Sequence, residues 1–252
     1  MAAVEKALHA LFVAADGTSL RKEDLKKARE LAAMLDELAR VVRPGRLLVD
    51  AAAGKSYVGL LAAELVGVER VHVIERDAAR ARLCREAAAR LTRPAELTVV
   101  EGDVASSASW PDAADVVVAL HACGAASDAV LDAAVAAKTR WLFLVPCCYA
   151  HAVPFSAHAE RLADAMGVPD HAEVRRRVVI SLIDTERTLR LEAAGWETTV
   201  MALVPPTVTP HNLMWRARRM REPNRMRQAS ERLAKLRAGD GRLGDGRLVV
   251  PR

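Results

Sequence analysis

Three acids in this chain sit where a nucleoside-like ligand could meet them. Asp50, Glu75 and Asp103 each end or follow a short apolar run, RLLVD, VHVIE and LTVV followed by EGD. An ionised carboxylate only accepts hydrogen bonds. Glu75 is therefore assigned to a pair of ribose hydroxyls and Asp103 to an adenine amine. Asp50 opens the stretch Asp50-Ala51-Ala52-Ala53-Gly54-Lys55-Ser56-Tyr57. Small residues there allow a tight turn whose backbone amides approach a ligand closely. A second group is rich in thiol and imidazole: His121, Cys123, Cys147, Cys148 and Tyr149, with His151 nearby. Such groups can move a proton, attack an electrophile, hold a metal or simply pack.

The elements that position these residues alternate regularly. Apolar runs of strand length occur at Arg46–Asp50, Val71–Glu75, Leu97–Val100, Val116–Leu120 and Trp141–Val145. Helical spacing is found at Lys22–Val42, Tyr57–Val66, Ala78–Leu91 and Ser127–Ala137. Strands apolar on both faces, separated by helices, predict a doubly wound α/β fold with a mostly parallel sheet. Its ligands bind beyond the carboxyl ends of the strands. The pattern loosens from Ala150 to Asp184, where one helix is expected at Ala157–Met166. Thr185–Ala194 then reads as a helix, and Glu197–Val204 and His211–Arg218 as an antiparallel hairpin closing the sheet. Pro223–Arg237 reads as a terminal helix before a glycine-rich tail. The expected division is a helical extension at 1–45, a ligand-binding domain at 46–220 with an insertion near 150–183, and a basic end at 221–252.

Composition narrows the class. The chain has 252 residues, 52% hydrophobic and 27% charged, which suits a soluble globular protein rather than a disordered one. Four cysteines are too few for a disulfide scaffold at this length. Ala7–Ala15 is a short apolar run, but Glu5 and Lys6 cancel, so the basic start of an export signal is missing. The nearest approach to a membrane span, Ala133–Ala150, is interrupted by Lys138 and Arg140. A cytoplasmic location without membrane contact is expected. From Leu213 to Arg252, twelve Arg and Lys stand against four Asp and Glu, leaving a net charge of −3 on the rest. That basic end either contacts an anionic partner such as RNA or is a solvated face.

Several motifs together carry a resemblance. Asp50, Gly54, Lys55 and Tyr57 match a first motif of the form Asp-x-Gly-x-Gly-Lys-Gly-Tyr, with Ala52 and Ser56 where glycine is expected. Leu120-His121-Ala122-Cys123-Gly124 with Asp128, Val145-Pro146-Cys147-Cys148-Tyr149 and Thr209-Pro210-His211-Asn212 follow. The chain resembles the class I S-adenosylmethionine (SAM)-dependent methyltransferase family that includes the glutathione-transferase C-terminal-domain-containing protein. The resemblance implies a Rossmann-like fold with an antiparallel last strand and SAM as cofactor. It also implies a donor site at Asp50, Ala52, Gly54, Lys55, Tyr57, Glu75, Arg76, Asp103, Val104 and Leu120. Without glycine at 52 and 56, the loop is expected to shift or to avoid positive φ there.

In such a sheet the fourth and fifth strands are neighbours, about 5 Å apart. His121, Cys123, Cys147, Cys148 and Tyr149 should therefore cluster where the transferred methyl group emerges, and they are the candidate catalytic residues. Packing and polar shaping of the pocket is the favoured role for the cysteines. No metal is expected, because adjacent Cys147 and Cys148 lack the usual two-residue ligand spacing. Cys84 and Trp215 are expected to be structural. The acceptor is open between RNA, protein and a small molecule. Two further readings stand beside methyl transfer. A dinucleotide-dependent oxidoreductase is weakened by the missing Gly-x-Gly-x-x-Gly. A non-catalytic RNA- or partner-binding module is favoured by Ala52 and Ser56.

Overall fold

The computed structural model describes residues 1–13, 19–149, 153–209 and 212–239. Seven strands form one sheet: β1 (Leu47–Ala51), β2 (Arg70–Glu75), β3 (Glu96–Glu101), β4 (Val116–Ala122), β5 (Trp141–Pro146), β6 (Trp196–Ala202) and β7 (Leu213–Arg219). Their order is β3-β2-β1-β4-β5-β7-β6. The first five are parallel, and β7 runs antiparallel to both neighbours. This is the expected Rossmann-like sheet with an antiparallel closing hairpin.

The period of two along each central strand divides the core. Leu48, Val71, Val73, Val116, Val118, Phe143 and Val145 face one helical layer. Val49, Ile74, Val117, Ala119, Leu142 and Leu144 face the other. The first layer contains α1 (Ala2–Leu8), α2 (Lys22–Val41), α3 (Tyr57–Leu61) and α4 (Ala78–Ala88). The second contains α5 (Ala125–Ala136) and the end of α7 (Ala172–Ala193), with Trp196 and Trp215. Trp215 is buried as expected, its indole N–H donating to the Thr188 hydroxyl at 3.0 Å.

The apolar N-terminal run packs as core. Leu8 and Leu11 are buried, and Phe12 meets the Tyr57 ring edge-on at 4.5 Å. No described helix is long and apolar enough to cross a membrane. The region expected to be loose is more regular than its sequence pattern. α6 (Ser156–Ala165) is followed by α7, one helix of 22 residues. Its polar first half conceals the apolar spacing, because Val179 and Ile183 bury in a small cluster with Val153, Ala159 and Ala163, separate from the main core. α8 (Pro223–Ala238) packs on α7 and buries one residue, Ala229.

Candidate active site at the carboxyl ends of the strands

β1 runs one residue further than its sequence suggests, ending at Ala51. Asp50 therefore lies inside the sheet, facing the layer of Leu48, and is 2% exposed. Its Oδ2 accepts the Ser56 hydroxyl and the Gly59 backbone N–H, each at 2.8 Å. Asp50 thus anchors the loop to the start of α3 from below. The expectation that it lines the cleft is corrected: its strand position buries it. Burial pushes its carboxyl up to about 7, against the lowering effect of the Gly59 and Ser56 donors, with Glu75 adding a smaller upward push. Gly59 must be glycine, since a Cβ would sit 2.8 Å from Ser56 Oγ and 3.0 Å from Asp50 Oδ2.

The loop does not avoid the left-handed region. Ala52 has φ 52° and Ser56 φ 55°, alongside Gly54 at 61°. Asp50 and Glu75 hold the loop in the conformation that glycines would adopt freely, at a cost of about 1–2 kcal/mol for each non-glycine residue. The substitutions at 52 and 56 therefore do not displace the loop, and the ground for a non-catalytic reading falls with that expectation.

A cleft of about 570 Å³ opens above these strand ends, within the range of small-molecule sites. Glu75, Arg76 and Asp103 line one part of it, with Ala52 and Val104. Ala105, Ala126 and Ala129 add an apolar wall, and His121, Cys123 and Cys148 close the other end. Glu75 is buried and does two jobs. Its Oε2 accepts the Gly54 N–H at 2.6 Å and its Oε1 the Asp77 N–H at 2.9 Å. Each oxygen keeps a lone pair for a ligand hydroxyl. Asp103 is exposed, and its Oδ1 accepts the Ala105 N–H at 2.8 Å. An adenosine moiety fits this donor set: acceptors for hydroxyls and an amine at one end, a shallow apolar wall between, and room for the sulfonium at the other.

Five expected donor-site residues stand outside the cleft lining: Asp50, Gly54, Lys55, Tyr57 and Leu120. Gly54 acts through its N–H to Glu75, and its carbonyl accepts the Cys84 thiol at 3.4 Å. Cys84 is buried as expected, and burial raises its thiol to about 12. Tyr57 packs on Phe12, Leu120 joins the main core, and Lys55 is exposed.

At the far end, β4 carries a bulge. Its register against β5 shifts between Leu120 and Ala122, and His121 has φ 64°. Bulges re-aim side chains. Here His121 reaches α2, where its Nε2 meets Glu30 Oε2 at 3.0 Å. Glu30 also accepts Lys27 Nζ at 3.0 Å. Burial would raise the Glu30 carboxyl, but these hydrogen bonds and charges outweigh it and hold it below its usual value. An ionised Glu30 favours a proton on Nε2 and leaves Nδ1 as the basic nitrogen. Nδ1 is buried and has no hydrogen-bond partner. Glu30, 91 residues away in sequence, was not singled out. Its spacing gives no sign that sets it apart from the other charges of α2. Gly124, with φ 58° and ψ −129°, starts α5 in a conformation open only to glycine.

The thiols gather as expected. Cys123 Sγ lies 2.7 Å from Cys147 Sγ and 3.4 Å from Cys148 Sγ. Burial and the neighbouring sulfurs raise the Cys147 thiol well above its usual range, which argues against a free thiolate nucleophile there. Tyr149 does not join them. Its ring lies under the Arg187 guanidinium at 5.3 Å, and burial and Asp184 raise its phenol. The tyrosine belongs instead to a buried network around α7 and does not line the cleft. There the fully buried Arg187 pairs with Asp128 at 2.7 Å, and Arg190 with the same carboxylate at 3.0 Å. Asn212 donates to the Val204 carbonyl and ties the β6–β7 hairpin. His151, Pro210 and His211 lie outside the described residues.

Residues 23–153, just over half of the chain, match a family described as a methyltransferase domain. The glutathione S-transferase C-terminal domain-containing protein of Xenopus laevis is 25% identical over 223 residues, 79% of this chain and 35% of that protein. Its human counterpart is 24% identical over 212 residues, 75% and 32% respectively. The chain thus spans about a third of the length of these curated relatives. Among solved structures, the fibrillarin/Nop5p complex superposes with a TM-score of 0.48 at 11% identity, covering 76% of this chain and 81% of that one. With its strand order, its cleft and this match together, the chain belongs to the methyltransferase-domain family and has the fold of the class I SAM-dependent methyltransferases.

Proposed function

We propose that the cleft binds SAM and that His121 takes the proton from the acceptor as its nucleophile is methylated. The observation that carries this reading is the joining of two halves in one cavity: Glu75 and Asp103 at one end, and His121, held from outside by Glu30, with Cys123 and Cys148 at the other. When bound, SAM supplies a methyl group on a sulfonium, so the protein's task is positioning and proton removal. Glu75 orients the ribose and keeps the Gly54 turn closed. Asp103 selects the adenine amine. Glu30 holds the imidazole at the cleft end through Nε2, and an entering acceptor must open a path to the enclosed Nδ1 for it to accept the proton. The side chains of Cys123 and Cys148 border the point where the methyl group would leave.

RNA is the acceptor favoured by charge. Arg218, Arg219 and Arg221 join Lys138 and Arg140 around one depression, and Arg40, Arg43 and Arg46 lie by another that shares Arg140 and Arg218. This basic surface is at the amino ends of β4 and β5, opposite the cleft. RNA held there must pass the sheet edge for its target nucleotide to reach His121. Incubation of total RNA and total protein with tritiated SAM tests the reading. Label in RNA, lost with His121→Ala, is expected. Label confined to protein or to small molecules would refute the RNA acceptor and leave the donor site standing.

A further inference from the structure

Three thiols from two strands converge at the rim of the cleft. Cys123 follows β4, and Cys147 and Cys148 follow β5, with Sγ–Sγ separations of 2.7, 3.4 and 3.4 Å. Among the described residues, this is the group whose potential metal-ligand atoms all lie within 4.8 Å of one another. The separations are shorter than the roughly 3.5–4 Å at which uncharged side-chain atoms settle. Sulfurs sharing one tetrahedral zinc, with bonds of about 2.3 Å, lie about 3.8 Å apart. The triangle needs to open by about 1 Å at most to match.

Adjacent Cys147 and Cys148 lack the usual two-residue ligand spacing, but the fold still brings their sulfurs to one place. Past Pro146 the chain has left the strand, so neighbouring side chains no longer alternate between faces. Cys147 and Cys148 can therefore point to one centre, and β4 brings Cys123 to it from 24 residues away. A disulfide accounts for this arrangement less well. It would join two sulfurs and leave the third within 3.4 Å, ready to attack the bond by exchange. Three thiolates are soft ligands that select zinc over magnesium or calcium.

We propose that Cys123, Cys147 and Cys148 bind one zinc ion whose fourth position opens into the cleft. Cys123 and Cys148 both line the cavity, so the open side faces the place where the acceptor enters. A water or a donor atom of the acceptor takes that position, as in sites with three protein ligands. The site stands on the thiol geometry and does not depend on the methyl-transfer reading.

The test uses the full chain, reduced and stripped of metal by a chelator. It is titrated anaerobically with Co²⁺ and then Zn²⁺. One equivalent of cobalt per chain is expected, with a near-ultraviolet sulfur-to-cobalt band that zinc abolishes. Cys147→Ser and Cys148→Ser should each weaken cobalt binding at least tenfold. Cys84→Ser, altering a buried core thiol outside the cluster, should keep the band. Circular dichroism and S-adenosylhomocysteine binding on the same samples show that each variant is folded. A reduced, folded wild-type chain without the band overturns the proposal, as does a band unchanged in Cys147→Ser. If S-adenosylhomocysteine still binds such a chain, only the metal site is lost.

Discussion

Asp50→Asn should remove a pH dependence that this buried acid imposes on stability. Burial, opposed by the Gly59 and Ser56 donors, raises the carboxyl from 3.8 to about 7. The native chain then holds a proton that the unfolded chain has released. Asp50 favours folding fully below about pH 4, and that advantage fades as pH rises to about 7. That rise corresponds to roughly 4 kcal/mol. Asparagine can present one carbonyl oxygen to both donors without carrying a charge. Urea unfolding of both proteins from pH 4 to pH 8 reads the difference. Other shifted acids occur in both chains and cancel, including Asp184, raised to about 6, and Glu30 and Glu64, lowered. Wild-type stability minus that of the variant should fall by about 4 kcal/mol between pH 4 and 7, then level off. A constant difference across that range would show that Asp50 titrates as an ordinary carboxyl and refute the reasoning.

The other expectations follow from the loop, the base and the buried ion network. Ala52→Gly relieves a left-handed alanine at about 1–2 kcal/mol and loses about 0.4–1 kcal/mol to unfolded-chain freedom. A melting temperature raised by roughly 2 °C is expected, and a fall by that much would contradict the backbone assignment. His121→Ala should lower kcat by about 10²–10⁴-fold with little change in donor affinity. Glu30→Gln should lower kcat less and shift its pH profile, a result that single-turnover kinetics at several pH values can check. Asp128→Ala leaves buried Arg187 without its closest partner and should cost about 3–5 kcal/mol in urea unfolding. A loss below about 1 kcal/mol would mean that solvent reaches the arginine.

The sheet was legible because its strands are short, apolar on both faces and separated by helices. That regularity fixed the ends of β2 and β3, and so placed Glu75 and Asp103 together. The adjacency of β4 and β5 likewise predicted the meeting of Cys123 with Cys147 and Cys148. Other features depend on contacts that spacing cannot show. Asp50 looked like a cleft acid until one more residue of β1 put it inside the sheet. Tyr149 follows the two cysteines in sequence, yet Arg187 and Asp184 draw it away from them. Glu30 looked like one charge among many on α2, and only the bulge at His121 brings it a partner from the site. The first half of α7 escaped notice because its apolar residues serve a local cluster rather than the main core.

The central claim is that Glu75 and Asp103 hold the methyl donor in this cleft. Calorimetric titration of S-adenosylhomocysteine into the wild type and Asp103→Ala tests it without needing an acceptor. Asp103 is exposed and supports only a local turn through Ala105, so its removal should leave the melting temperature unchanged. The account predicts one site per chain, weakened about 10- to 100-fold by the substitution, the equivalent of one charge-assisted hydrogen bond. Equal affinity in the two proteins, or no binding to the wild type, would contradict it.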